Sequence, residues 1–254
     1  MTIKNDKIRI LGKGITALAL KDKFPNATLY DDKDFENYDL QSEELTVVSP
    51  GIPPYNNMVL NSKNVVSDYD LFEDIIPFSI WISGTNGKTT TTQMCQHLLK
   101  EYNSVCGGNI GIPLSHMDEK APIWILETSS FTLHYTNKSK PNIYLLLPIS
   151  EDHITWHGSF KEYQDAKLKP LSLMKENDIA IIPEHFKDIK TEAHVITYKN
   201  SDDLCEHFNI DKTNIKFKEP FLLDAILAMC VQKIVFDEIN YDLINEFIID
   251  KHKV

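Results

Sequence analysis

Arginine is almost absent from this chain of 254 residues, since Arg9 is the only one. The charge of a bound phosphate would therefore be met by lysines, backbone N–H groups and metal ions, and an arginine finger is not expected. Long basic runs are also missing, and the formal net charge is −11, which argues against a nucleic-acid surface. We expect no nucleic-acid partner.

Membrane and secretion signals are missing too. No apolar run approaches the length that spans a bilayer, and the N-terminus lacks a basic region followed by an apolar one. The four cysteines, Cys95, Cys106, Cys205 and Cys230, show no C-x-x-C spacing and are typical of reduced, packed thiols. We therefore expect a cytoplasmic protein without membrane insertion.

A phosphate-binding loop is the clearest feature that is present. Apolar residues from Phe78 to Ile82 lead into Ser83-Gly84-Thr85-Asn86-Gly87-Lys88-Thr89, after which a helix is predicted. Small residues let backbone N–H groups face an anion, and the helix N-terminus adds partial positive charge. Lys88 can reach the β- and γ-phosphates, and the Thr89 hydroxyl can bind Mg²⁺. The strict P-loop pattern has glycine where Ile82 stands, and a tight turn is the alternative, but the flanking strand, helix and glycines favour an anion site.

The first 77 residues show the pattern of a dinucleotide-binding fold. A buried strand at 8–11 runs into Gly12-Lys13-Gly14-Ile15-Thr16-Ala17, close to the glycine turn of that fold. Asp31 and Asp32 end the next strand, where a carboxylate could accept a ribose hydroxyl. In the alternative interpretation, the glycines only allow close packing and the acids only solvate a loop. The strand that these acids end is predicted at 27–30, and two more strands are predicted at 46–49 and 65–67.

Polar residues follow the strands predicted after residue 78. Glu127 ends the apolar run 123–126 beside Thr128-Ser129-Ser130, and a carboxylate there is a natural Mg²⁺ ligand, with helix capping as the alternative. His153 lies just past a strand at 143–147 next to two acids, which favours a ligand role over a structural one. Residues 106–113 are predicted as a glycine-rich loop that carries Asn109.

Strands that alternate with helices imply the α/β class, with parallel sheets and helices on both faces. We predict a Rossmann-like parallel sheet domain over 1–77, then a P-loop-type central ATPase domain with a mainly parallel sheet over 78–254. A Ser-x-x-Glu capping box at Ser159 starts a helix that Pro170 is expected to shorten or kink. Other predicted strands and helices are strands 179–182 and 194–198 and helices 18–23, 70–75, 92–102, 221–235 and 241–249.

Taken together, these stretches resemble the Mur ligase family of peptidoglycan synthesis. The resemblance runs in order along nearly the whole chain. It rests on these segments: Gly12-Lys13-Gly14-Ile15-Thr16, Ser49-Pro50-Gly51-Ile52, Gly84-Thr85-Asn86-Gly87-Lys88-Thr89, Gly108-Asn109-Ile110-Gly111, Glu127-Thr128-Ser129-Ser130-Phe131, Glu151-Asp152-His153 and Ala166-Lys167-Leu168.

The resemblance implies an ATP-dependent amide-bond ligase. In the family reaction, ATP phosphorylates a substrate carboxylate, and the acyl-phosphate is then attacked by an amino group. The glycine–asparagine loop and the Glu-x-Ser-Ser-Phe segment imply the member that adds D-glutamate to UDP-N-acetylmuramoyl-L-alanine. ATP and two Mg²⁺ ions are implied, and the protein is expected to act as a monomer in the bacterial cytoplasm.

The resemblance also implies roles for individual residues. The implied catalytic residues are Lys88, Asn109, His153 and Lys167. The implied ATP-binding residues are Gly84, Thr85, Asn86, Gly87, Lys88, Thr89, Thr90 and Asp224. The implied UDP-substrate residues are Gly14, Ile15, Thr16, Asp31, Ser49, Pro50, Gly51, Asn109 and Ser129. The implied metal ligands are Thr89 and Glu127 for one ion, and His153 and a carbamylated Lys167 for the other.

The sequence departs from the family pattern in three places. An acidic residue common two positions after the metal histidine is Thr155 here, and the glutamine common after Ser-Ser-Phe is Thr132. The segment that usually contributes to the adenine site reads Pro220-Phe221-Leu222-Leu223-Asp224, so that Asp224 replaces an amide. Base recognition and one substrate contact are therefore expected to differ.

The family also implies a C-terminal domain that supplies the D-glutamate site, and this chain stops about where that domain should begin. We expect this polypeptide alone to bind nucleotide or UDP-substrate weakly and not to ligate D-glutamate. Three alternatives stay open at this point: another Mur-type ligase, a non-catalytic nucleotide-sugar binding module, and an NAD-dependent oxidoreductase built on the N-terminal glycine turn, which would leave the phosphate loop unexplained.

Overall fold

A computed structural model describes residues 8–31 and 34–249. Within these ranges the chain forms two parallel sheets. The first has strands β1 (Ile8–Leu11), β2 (Thr28–Tyr30), β3 (Leu45–Val48) and β4 (Asn64–Val66), in the order β2-β1-β3-β4. Its helices are α1 (Ile15–Lys23), α2 (Asn57–Leu60) and α3 (Asp68–Leu71).

The second sheet has six strands in the order β10-β9-β8-β5-β7-β6. They are β5 (Phe78–Ser83), β6 (Ser104–Gly108), β7 (Ile123–Glu127), β8 (Ile143–Leu146), β9 (Ile179–Pro183) and β10 (His194–Tyr198). The helices are α4 (Lys88–Leu99), α5 (Ser130–Tyr135), α6 (Ile154–His157), α7 (Phe160–Leu173), α8 (Ser201–Phe208), α9 (Phe221–Phe236) and α10 (Tyr241–Glu246). The predicted α/β class with parallel sheets is confirmed.

Strand register decides which loops meet at the functional edge. Ile82 of β5 lies opposite Glu127 of β7, which in turn lies opposite Gly108 of β6. Because neighbouring parallel strands end at the same edge of a sheet, the loops after these three strands lie side by side. The central strands are buried on both faces, as their continuous apolar runs predict.

One hydrophobic cluster joins the two sheets. Phe72 and Leu20 from the first part of the chain belong to the same buried cluster as Trp81, Trp124 and Leu126 from the second sheet. The only arginine, Arg9, is buried within the first sheet: its guanidinium lies over the Tyr38 ring and donates to the Asp39 carbonyl oxygen at 2.7 Å. Arg9 therefore stabilises the first sheet.

Several predicted boundaries are corrected by the structure. Residues 106–113 are not all loop, because 106–108 end the edge strand β6, whose backbone pairs with β7 despite the glycines. Pro170 does not shorten its helix: it lies in the last turn, and the Met174 N–H still donates to the Pro170 carbonyl oxygen. The helices predicted at 18–23 and 92–102 begin earlier, at Ile15 and Lys88, and the last helix ends at Glu246. None of the helices in the described parts of the chain is both long and apolar enough to cross a bilayer.

Candidate nucleotide and metal site

The phosphate loop connects β5 to α4 and requires glycine at two positions. Gly84 has φ +144° and Gly87 has φ +84°, in a region that side chains disfavour. A Cβ atom on Gly84 would lie 2.6 Å from the Leu147 Cβ, and one on Gly87 would lie 2.5 Å from a carboxylate oxygen of Asp224. The loop thus packs tightly on the strand-end residue that follows β8 and on the first turn of α9, and it leads directly into the N-terminus of a 12-residue helix.

Lys88 folds back over this loop. Its Nζ donates to the carbonyl oxygens of Gly84 at 3.0 Å and Thr85 at 2.8 Å. Burial lowers the pKa of Lys88, and the carboxylates of Glu127 and Asp152 oppose that shift. The ammonium group is therefore held over the backbone of the loop, where a phosphate-binding lysine is expected.

Glu127 bonds to two other residues that the sequence placed in the site. Its Oε2 accepts from the Thr89 hydroxyl at 2.7 Å, and its Oε1 accepts from the Asn109 amide nitrogen at 2.8 Å. The carboxylate is only 3% exposed, and both of these partners are side chains, whereas the capping alternative would need the backbone of a helix. A carboxylate and a hydroxyl are the oxygen ligands that Mg²⁺ prefers.

In the described parts of the chain, no three His, Cys, Asp or Glu side chains lie close enough to hold a metal ion by themselves. Thr89 and Glu127 still fit a magnesium ion, because Mg²⁺ typically takes one or two carboxylates and completes its shell with water and substrate phosphates. The donor set is therefore compatible with a nucleotide-bound cation rather than with a closed structural site.

Lys167 lies on the other side of the loop, in α7. Its Nζ donates to the Gly84 carbonyl oxygen at 2.8 Å and to the Ser83 hydroxyl at 3.3 Å, and it lies 4.9 Å from the centroid of the Tyr163 ring. Burial and then the charge of Lys88 lower the pKa of Lys167 to about 7. A large fraction of this amine is therefore neutral near neutral pH.

His153 lies next to the same tyrosine. It precedes α6 with φ +52°, and its ring centroid is 6.0 Å from that of Tyr163, whose hydroxyl is 3.0 Å from the Thr85 hydroxyl. Its Nε2 is 3.4 Å from a carboxylate oxygen of Asp152. Tyr163 and Asp152 were not predicted as site residues. The only sequence signals were that Asp152 directly precedes His153 and that Tyr163 lies one helical turn before Lys167.

His157 is another group that the sequence did not assign to the site. Its Nε2 lies 2.9 Å from the Ser130 hydroxyl, while its buried Nδ1 has no hydrogen-bond partner among the described residues. Burial lowers the pKa of His157 to about 4, with smaller contributions from His134 and His153. The ring is therefore neutral at physiological pH and connects α6 to α5 behind the site.

Residues predicted to bind the UDP group lie mainly at the edge of the first sheet. The loops after β1 and β3 touch, since a Cβ atom on Gly12 would lie 2.7 Å from the Ser49 Cβ. Gly14 directly precedes α1, whose first residue, Ile15, is exposed. Asp31 pairs with Lys13 at 2.8 Å, and Asp32 lies outside the described residues. The remaining members of this edge are Thr16, Pro50 and Gly51.

Ser129 and Asp224 lie elsewhere. Ser129 follows β7 and caps α5, where its hydroxyl accepts from the Thr132 N–H at 3.1 Å. Asp224 is 4% exposed and accepts from the Thr91 hydroxyl at 3.0 Å. Burial raises the pKa of Asp224 to about 7. Asp224 thus lies beneath the phosphate loop, and its contact with adenine stays a prediction.

Most of the phosphate and metal residues lie in the part of the chain that a family model matches. Residues 82–222 match the Mur ligase middle domain. This chain belongs to the Mur ligase family. The match begins in β5, and it includes the phosphate loop, Glu127, His153 and Lys167.

The alignments of this chain with named relatives extend over both sheets. The chain is 47% identical to the UDP-N-acetylmuramoylalanine--D-glutamate ligase of Campylobacter jejuni (serotype O:23/36, strain 81-176), over 98% of this chain and 66% of that protein. It is 43% identical to the protein of the same name from Helicobacter pylori (strain J99), over 89% of this chain and 60% of that protein. The chain therefore spans slightly less than two thirds of the length of these relatives.

Solved structures share the fold at low sequence identity. The UDP-N-acetylmuramate:L-alanyl-gamma-D-glutamyl-meso-diaminopimelate ligase from Neisseria meningitides superposes with a TM-score of 0.63, 13% identity and coverage of 97% of this chain and 99% of that chain. MurF ligase from Thermotoga maritima in complex with ADP superposes with a TM-score of 0.55, 13% identity and coverage of 98% and 65%. These similarities support the fold of this chain and do not by themselves indicate its substrate.

Proposed function

We propose that this Mur ligase adds D-glutamate to UDP-N-acetylmuramoyl-L-alanine in an ATP-dependent reaction of peptidoglycan synthesis in the bacterial cytoplasm. The observation that carries the proposal is the placement of Glu127, bonded to Thr89 and Asn109, beside the Lys88 loop. The names of the Campylobacter and Helicobacter relatives support the choice of substrate. In this proposal residues 1–77 bind the UDP-substrate and residues 78–254 bind ATP.

The phosphate loop holds and aligns the nucleotide. Backbone N–H groups at the start of α4 face the β- and γ-phosphates, and the Lys88 ammonium neutralises charge on the phosphoryl group that is transferred. A substrate carboxylate oxygen attacks the γ-phosphorus, and the bond from that phosphorus to the ADP oxygen breaks. The amino group of D-glutamate then attacks the acyl carbon, phosphate leaves, and the amine loses a proton.

Two magnesium ions complete the proposed site. Thr89 and Glu127 would hold one ion, and His153 with a carbamylated Lys167 would hold the other. Bound Mg²⁺ supplies electrostatic stabilisation to the transferred phosphoryl group. The lowered pKa of Lys167 supports the carbamate, because only a neutral amine attacks CO₂. Carbamylation would turn the amine into an anionic oxygen ligand, which suits Mg²⁺.

The substrate would lie across the two sheets. The loops at Gly14 and Ser49 are placed at the carboxyl ends of adjacent strands, where parallel sheets bind ligands. The loop after β7 carries Ser129, shortly after Glu127 in sequence. A UDP-sugar held at the first edge would therefore extend its acyl end toward the Lys88 loop.

Calorimetric titration tests the substrate. UDP-N-acetylmuramoyl-L-alanine should bind more tightly than UDP-N-acetylglucosamine, and Mg²⁺–ADP should bind to wild type but not to a Lys88→Ala variant. Phosphate release from ATP in the presence of both substrates tests the reaction in the protein that contains this chain. Equal affinity for every UDP-sugar would contradict the substrate, and phosphate release that does not depend on D-glutamate would contradict the ligase.

A further inference from the structure

Tyr69 connects the first part of the chain to the carboxylate of the nucleotide site. It belongs to the short helix α3, yet its ring packs edge-on against Trp81 of β5, with centroids 4.8 Å apart and the rings at 85°. The tyrosine is 2% exposed. A side chain from the first 77 residues thus penetrates the core of the second sheet, beneath the loops that follow β6 and β7.

The phenol reaches the backbone of the predicted metal ligand. The Tyr69 hydroxyl donates to the Glu127 carbonyl oxygen at 3.3 Å, and the Asn109 N–H donates to the same oxygen at 2.9 Å. Two donors from distant parts of the chain therefore hold one carbonyl group. The side chains of Glu127 and Asn109 are bonded to each other as well, so a shift of this backbone would move both.

Gly108 shows how closely the hydroxyl is fitted. Its φ is +91°, and a Cβ atom there would lie 2.7 Å from the Tyr69 hydroxyl and 2.7 Å from the Glu127 carbonyl oxygen. Only glycine leaves room for the phenol at the end of β6. Burial and the charges of Asp68 and Glu127 raise the pKa of Tyr69, so the group stays protonated and donates.

Helix α3 is itself fixed to the segment between α5 and β8. The Asp70 carboxylate accepts from the backbone N–H groups of Asn137, Lys138 and Ser139 at 2.7, 2.9 and 2.9 Å. The Thr136 hydroxyl donates to that of Ser67 at 2.9 Å. These bonds leave Tyr69 little freedom to move away from Glu127.

We propose that Tyr69 is a positioning residue of the nucleotide site, whose hydroxyl holds Glu127 and Asn109 in the geometry that receives the magnesium ion of a bound nucleotide. This inference rests on the proposed function of the site. It assigns to α3 a part in cation binding, through a hydrogen bond that links the proposed UDP-substrate domain to the ATP site.

The test compares Tyr69→Phe with a matched control, Tyr38→Phe. Both changes remove one buried phenol hydroxyl, but that of Tyr38 bonds to Thr46 and Ser62 in the first part of the chain, far in sequence from Glu127. Binding of a fluorescent ADP to the 254-residue chain is measured by anisotropy at increasing Mg²⁺ and again in EDTA, and thermal unfolding of each variant is recorded.

We expect the Mg²⁺ concentration for half-maximal ADP binding to rise about fivefold in Tyr69→Phe, the typical effect of one hydrogen bond. Binding in EDTA should stay unchanged, and Tyr38→Phe should match wild type in both. An unchanged Mg²⁺ midpoint, an equal loss with and without Mg²⁺, or a Tyr69→Phe chain that no longer unfolds cooperatively would each overturn the positioning role. If wild type shows no Mg²⁺-dependent ADP binding, the proposed function fails and this inference fails with it.

Discussion

Replacing Glu127 by glutamine separates the fold of the site from its cation chemistry. The amide has nearly the same shape as the carboxylate, so its carbonyl oxygen can still accept from the Asn109 amide group. The Thr89 hydroxyl donates to the carboxylate at 2.7 Å in the wild-type protein. In the variant it can rotate and accept from the new amide nitrogen. Both contacts survive, but neither is charge-assisted.

The expected cost in stability is small. Each charge-assisted bond that becomes neutral loses about 1 kcal/mol. The variant no longer buries an anion that is 3% exposed, and this gain offsets part of the loss. We therefore expect a net destabilisation of about 1 kcal/mol, which lowers Tm by about 2–4 °C in a chain of this size.

The expected cost in cation binding is larger, because the anionic ligand itself is gone. Loss of an outer-shell partner already weakens metal binding by about 10–100-fold, so the Mg²⁺ midpoint for ADP binding should rise at least about tenfold. Fluorescent ADP titrations over a Mg²⁺ series measure this shift. Glu119→Gln is the control, since Glu119 is exposed and pairs only with the surface residue Lys23 among the contacts in the described residues.

An unchanged Mg²⁺ midpoint in Glu127→Gln would refute the assignment of this carboxylate as a metal ligand. Loss of cooperative unfolding would refute the claim that Thr89 and Asn109 both keep their contacts with the new amide. A shift of equal size in Glu119→Gln would point to general electrostatics instead of direct coordination.

Three further predictions concern titrating groups. His157 has a lowered folded pKa of about 4, so its contribution to stability is present above about pH 6.5 and is lost as pH falls toward 4. In urea unfolding, wild type should lose about 2 kcal/mol more than His157→Phe over that pH window, after allowance for solvent screening. Parallel pH dependences of the unfolding free energy in the two proteins would contradict this. Asp224 has a raised folded pKa of about 7, so wild type loses stability as pH rises from about 4 to 7. The Asp224→Asn variant should be more stable than wild type by about 2–4 kcal/mol at pH 8 and nearly equal to it at pH 4. A stability difference that stays constant with pH would argue against a buried proton on Asp224. Lys167 has a lowered pKa of about 7, so its neutral fraction, and with it the occupancy of a carbamate, should rise between pH 6 and 8. NMR with isotope-labelled bicarbonate should detect this carbamate in wild type and not in Lys167→Ala. A signal retained in that variant would assign the carbamate to another amine.

Local patterns made much of the fold predictable. The apolar runs ending at Ser83 and Glu127 are strands because their residues are buried on both faces, and the turn at Gly87 needs a backbone conformation that glycine adopts at least cost. The boundary errors occurred where local signals are weak, as at the glycine-rich end of β6. There, pairing with β7 overrides the turn propensity of the residues.

The sequence by itself determined the order of strands and helices, the glycine positions of the phosphate loop and the family to which the chain belongs. Only the tertiary structure decided that the Thr89, Asn109 and Glu127 side chains meet, that Lys167 is buried against Gly84, and that Tyr69 reaches Glu127 from α3. The physical reason is range. Periodicity, turns and caps depend on neighbours a few residues away, whereas these contacts depend on which strands pair and in what register.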